Sequence, residues 1–261
     1  MEKIKVGIAG MGRGAGASFV TLLLACELAE RNIMPDDISA DHDGISITGG
    51  VTVAASGDTY FYDSLGFDSR FQKGSFIPFE DFDQQTATEF YGGRKMPNLN
   101  EGISWLVSSP KTCYPKISER ERMRILSRIS SRYLLWDMGH RAVELDFEEN
   151  EKDVDMIIYV IDPRPSVMLS MYDSFVRVRD CSIPVVYVIN RMNSGVDKKD
   201  LMSFLKVKKP VILPWADPAL IYRSEYKCEL FYKNDAIRQI MQPSIKKLAD
   251  IVDDIAKHKR R

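Results

Sequence analysis

The sequence predicts an α/β fold, a mostly parallel sheet with helices on both faces. Residues 4–29 run from a short β-type stretch through a glycine-rich loop into a long apolar helix pattern. Later runs beginning at Tyr133, Met156, Ile183 and Val211 are apolar almost throughout, the mark of strands covered on both faces. Helical patterns separate them at crossover spacing, which makes the strands parallel. At 261 residues the chain suits one large domain, 1–261, with an aromatic-rich insertion at about 59–110.

In order, Ile4, Val6 and Ile8 form the entering strand, and Gly10, Gly12, Gly14 and Gly16 follow in the loop. Glycines between a strand and a helix let bare backbone N–H groups curl around an anion at the helix N-terminus, so the expected ligand is a phosphate. Two readings stay open at this point. Gly10-x-Gly12-x-x-Ala15 fits a dinucleotide fingerprint. Gly12-Arg13-Gly14-Ala15-Gly16-Ala17-Ser18 fits a phosphate loop whose terminal hydroxyl holds Mg²⁺. The helix from Ala17 to Ala29 is apolar nearly all round, hence buried on the sheet.

Residues 30–50 are polar and acidic, an exposed connection. Val51–Ala55 is the second strand, and Asp58 beyond it is a weak candidate for a catalytic or ribose-binding acid. The aromatics of 59–110 show no clean period and serve as packing or as partner anchors. Residues 102–107 form a further strand, and 117–132 an arginine-rich helix with a solvated face. The strand from Tyr133 ends in Asp137 with Gly139 close behind, the way an acid is set beside Mg²⁺ and a phosphate. An acidic surface run, 144–155, leads to the strand ending at Asp162-Pro163. Helix 166–179, a strand ending at Asn190-Arg191, the last strand, 211–215, and a closing helix over 235–261 complete the chain.

A formal charge of −1, with 44% hydrophobic and 28% charged residues, gives no strong nucleic-acid signal. Cys26, Cys113, Cys181 and Cys228 are far apart, and His42, His140 and His258 do not cluster with them. That argues against structural zinc and a disulfide framework and suits a reducing cytoplasm. No secretory leader or membrane-spanning run is expected, and the basic end, Lys257–Arg261, gives at most peripheral lipid contact.

The order of glycine loop, Asp137, Asp162-Pro163, Asn190-Arg191 and Pro214 resembles the MinD/ParA-like branch of the P-loop NTPases over most of the chain. That branch carries a deviant Walker A loop, K-G-G-x-G-K-[ST]. The resemblance implies ATP or ADP with Mg²⁺ as cofactor, bound by residues 12–18. Ser18 and Asp137 would hold the metal, and Asp137 would also position the attacking water. Asn190, with Arg191, and Pro214-Trp215-Ala216-Asp217 would line the base pocket. Within the branch the chain looks most like TadZ/CpaE-type proteins, which help position a Flp (tight-adherence) pilus secretion machine, although the N-terminal receiver-like domain usual there is not expected from these residues. A homodimer and secretion-machine protein partners are thereby implied.

Two departures matter: Gly12 and Ala17 stand where the branch has lysines. Phosphoryl transfer depends on positioning and charge, so both losses lower turnover. The expectation is a nucleotide-binding or pseudo-ATPase positioning protein. The alternatives are an active ATPase in which Arg13 replaces the lysine, and an NAD(P)-binding oxidoreductase.

Overall fold

The structure, a computed structural model, describes residues 3–31, 50–55, 77–78, 103–107, 129, 131–140, 154–226 and 230–258. The strands are β1 (Ile4–Gly10), β2 (Val51–Ala55), β3 (Ile77–Pro78), β4 (Ile103–Val107), β5 (Tyr133–Gly139), β6 (Met156–Ile161), β7 (Val185–Met192) and β8 (Val211–Pro214). They form one eight-stranded sheet in the order β3-β4-β2-β5-β1-β6-β7-β8. Every neighbouring pair is parallel, as the continuous apolar runs require.

Helices α1 (Ala17–Arg31), α2 (Pro165–Ser170), α3 (Tyr172–Arg179), α4 (Lys198–Leu205), α5 (Pro218–Tyr226) and α6 (Asp235–His258) accompany it, with a 3₁₀ turn at Phe231–Lys233. Side chains alternate across a strand, so each strand feeds both faces. Val6, Ile8, Leu135, Ile158 and Val188 point to the side covered by α1 and α6. Leu134, Trp136, Ile157, Tyr159 and Ile189 point to the side where Phe175 of α3 and Leu201 of α4 pack. The core is therefore two layers divided by the sheet.

α1 is buried nearly all round, with Val20, Leu22, Leu23, Leu24 and Leu28 fully covered. Each such leucine contributes about 1.5–3 kcal/mol relative to exposure. One end of α1 is fastened to α6 by Arg31, which meets Glu27 at 2.9 Å and Asp250 at 2.7 Å. Glu27 also accepts from the Tyr232 hydroxyl at 2.6 Å, so this buried carboxylate has two donors.

Several expectations need correction. Helix 166–179 is two helices, broken at Met171, whose backbone (φ −110°, ψ 12°) leaves helical geometry. The break lies beside the glycine loop, where Met171 packs against Gly12. The described end of the expected helix 117–132 is not helical at Ile129, Ser131 and Arg132; the rest lies outside the described residues. So do Asp58 and, apart from β3 and β4, segment 59–110. The closing helix, whose apolar residues, Ile240 among them, the sequence reads as a face packed on the sheet, leaves Ile240 43% exposed. α4, α5 and the 3₁₀ turn are additional elements that the sequence reading did not name.

Strand order bears on the two loop readings. In a dinucleotide-binding sheet the second strand lies directly beside the first. Here β5 stands between β1 and β2. An acid at the end of β2 is therefore one strand further from the loop than that fold requires, which disfavours the NAD(P) alternative.

Candidate functional site

Register places the site. Ile8 of β1 lies opposite Asp137 of β5, and Gly10 lies opposite Val160 of β6. The loop thus rises between the ends of two strands, where open α/β sheets bind ligands. The Met11 amide donates to the Val160 carbonyl at 2.8 Å and the Ala15 amide to Gly12 at 3.1 Å. Gly14 and Gly16 have φ of +78° and +99°, conformations open to glycine and strained for other residues. Among the described residues, no main-chain acceptor takes the amides of Gly14, Gly16, Ala17 or Ser18. A Cβ built at Gly14 would meet nothing within 4 Å, so the loop's crest is open on that side. These features fit an anion held by backbone amides.

Asp137 and Asn190 lie two residues before the ends of β5 and β7, Asp162 directly follows β6, and the three fall on one face. Asp137 shares parity with Leu135, Asp162 with Val160 and Asn190 with Val188, all on the α1 side. The three are 4%, 1% and 2% exposed. Asp137 accepts from the Ser18 hydroxyl at 2.5 Å and from the Gly139 amide at 2.9 Å. A hydroxyl and a carboxylate this close are a donor set suited to Mg²⁺, which takes few protein ligands and completes its shell with water and phosphate. Among the described residues no cluster of His, Cys, Asp or Glu could hold a metal without such help.

Asn190 braces the loop. Its side-chain amide donates to the Ala15 carbonyl at 2.9 Å, and its oxygen accepts from the Arg191 amide at 2.9 Å. A Cβ at Gly16 would fall 2.2 Å from Asn190 Nδ2, so this contact itself demands glycine at 16. Arg191 has a left-handed backbone, φ 59°, and donates through Nη1 to Asp162 at 3.1 Å. Arg164 forks onto the same carboxylate, Nη2 to Oδ2 at 2.8 Å and Nε to Oδ1 at 3.0 Å. Burial opposes the Asp162 charge, but the Arg164 hydrogen bonds and the two guanidinium charges outweigh it and hold the carboxyl below its ordinary pKa.

The two positions lacking lysine are closed in. Ala17 is 7% exposed. A Cβ at Gly12 would meet Met171 Cγ at 3.3 Å, tight for any larger side chain. Arg13 is exposed and makes no hydrogen bond or ion pair with the rest of the described protein. Of the segment expected to line a base pocket, Pro214 pairs with Met192, and the Trp215 amide donates to the Met192 carbonyl at 2.8 Å. The Trp215 side chain is 48% exposed, and Asp217 caps α5 through the Ala219 amide at 2.9 Å. The structure thus gathers residues 12–18, Asp137 and Asn190 into one site, with Pro214 and Trp215 adjoining β7. The sequence reading named Asp162 but not its pairing with Arg164, although the spacing of two residues was visible in the sequence.

No family model matches the chain, and no curated protein matches it. Solved structures do. A ParA family ATPase from Chlorobium tepidum TLS is 14% identical with a TM-score of 0.67, over 94% of this chain and 96% of that one. The MinC:MinD cell division complex of Aquifex aeolicus gives 14% identity and a TM-score of 0.65, over 95% of each chain. The septum site-determining protein MinD of Pyrococcus horikoshii OT3, complexed with Mg-ADP, is 16% identical with a TM-score of 0.59 over 98% of both. The fold is that of the MinD/ParA-type P-loop proteins.

Proposed function

We propose that this chain binds an adenine nucleotide with Mg²⁺ on residues 12–18 and uses occupancy, rather than rapid hydrolysis, as a structural signal. One observation carries the reading: backbone amides without main-chain acceptors stand beside the Ser18–Asp137 pair at 2.5 Å, with no lysine at 12 or 17. Amides and the hydroxyl provide for binding, while the missing charges remove transition-state stabilisation. The solved relative complexed with Mg-ADP makes the same ligand the first to try. Asn190, with Pro214 and Trp215, stands at the base end. The biological role is that of a positioning or scaffold protein, acting as a dimer on protein partners in the manner of the TadZ/CpaE-type branch.

Calorimetric titration of the purified chain with ATP, ADP and NAD, each with and without Mg²⁺, tests this. The expected result is Mg²⁺-dependent adenine-nucleotide binding with little turnover, and a tighter site in Ala17→Lys. Robust ATP hydrolysis lost on Asp137→Ala would overturn the pseudo-ATPase reading. If Arg13→Ala also abolished it, Arg13 would be doing the lysine's work. NAD binding alone would return the chain to the dinucleotide class.

A further inference from the structure

Asp162 and its two arginines are not used by the reading above. Arg164 alone satisfies the carboxylate, donating from its backbone amide at 3.1 Å and from Nε and Nη2 in a fork. Arg191 adds a single bond from Nη1 at 3.1 Å. A guanidinium has five N–H donors, so most of the Arg191 fork is unused by the described protein. Its side chain is 40% exposed and that of Arg164 is 60% exposed. Two guanidiniums against one carboxylate leave one positive charge in excess.

The position of this charge matters. β6 touches the start of the loop through Val160 and Met11, and Asp162 follows two residues later, roughly 7 Å along an extended chain. β7 touches the crest of the loop through Asn190 and Ala15, and Arg191 is the next residue. Both arginines therefore stem from strand ends that themselves hold the loop. Arg191 is also kept in a left-handed conformation, uncommon for a residue with a side chain and frequent at functional sites. Asp162 and Asn190 share the α1 face, so the cationic excess lies on the β6–β7 side of the loop, with the Ser18–Asp137 pair on the β5 side.

We propose that Arg191, steadied by the Asp162–Arg164 pair, supplies from outside the loop the cation that binds the ligand's phosphates in place of the missing lysines. This rests on the nucleotide reading above. Arginine suits the task, since its planar fork matches phosphate oxygens. A bound phosphate competes with Asp162 for Arg191, while Arg164 keeps the carboxylate paired.

The test is titration of the full chain with ADP, inorganic pyrophosphate and adenosine, comparing the parent protein with Arg191→Met, Arg191→Lys and Arg164→Met. Arg191→Met should weaken ADP and pyrophosphate about tenfold or more, the scale of one charge-assisted contact, and leave adenosine within about twofold. Arg191→Lys should recover part of the loss, and the salt dependence of pyrophosphate binding should flatten only in Arg191→Met. Unchanged ADP and pyrophosphate affinity in Arg191→Met overturns the proposal and leaves the nucleotide reading standing. Equal losses for adenosine and ADP would show a merely structural ion pair and also overturn it. A parent protein that binds neither ADP nor pyrophosphate removes the underlying reading as well. Should Arg191→Met fail to fold, the comparison of Arg191→Lys with Arg164→Met decides: equal effects on both phosphate ligands overturn the assignment to Arg191.

Discussion

Replacing Gly16 with alanine tests the loop's architecture most directly. The new Cβ would lie 2.2 Å from Asn190 Nδ2, far inside contact distance, on a backbone with φ +99°. The backbone strain costs about 1–3 kcal/mol. Asn190 is 2% exposed and must swing away, giving up its bond to the Ala15 carbonyl. An abandoned buried polar pair costs about a further 1–3 kcal/mol. The sum, roughly 2–6 kcal/mol, is large against ordinary domain stability and lowers Tm by several degrees or more. Chemical denaturation of Gly16→Ala, Asn190→Ala and the double variant separates the two parts. With Asn190 truncated, the cost of the alanine should fall to the strain alone, about 1–3 kcal/mol. A Gly16→Ala cost that is the same in both backgrounds, or below about 0.5 kcal/mol, would refute the bracing contact.

Two further predictions follow from buried carboxylates. The Asp162 pKa is lower in the folded chain than in the unfolded one, so its stabilisation is complete above the unfolded carboxyl pKa and disappears as pH falls through the folded value. The Tm difference between the parent and Asp162→Asn should therefore hold steady through neutral pH and shrink below about pH 4; a gap that persists unchanged to about pH 2 would sink the idea. Tyr232→Phe removes one of the donors of Glu27, 3% exposed, and should destabilise by about 1–3 kcal/mol in denaturant melts. A neutral outcome would mean Arg31 alone satisfies that carboxylate.

Much of this protein was legible in local pattern. The run from Ile4 through the glycines to Ala29 announces a strand, a phosphate-type loop and a buried helix, because period-two and all-round apolar patterns reflect burial directly. The same patterns located β5 through β8 and the acid at the end of β5. Inside 133–137, alternation alone determines that Asp137 shares the face of Leu135. Nothing in those residues says which helix covers that face.

The tertiary structure decided the rest through partners distant in sequence. Ser18 meets Asp137 across 119 positions and Asn190 meets Ala15 across 175, contacts that exist only because β1 lies between β5 and β6. Met171, where the helix breaks, lies beside Gly12, a neighbour that periodicity cannot see. Local reading grouped Arg191 with Asn190; that its guanidinium meets Asp162, on the neighbouring strand, is a contact only the fold supplies. Local sequence sets which face a side chain occupies, whereas sheet order, fixed by the whole chain at once, sets what that side chain touches.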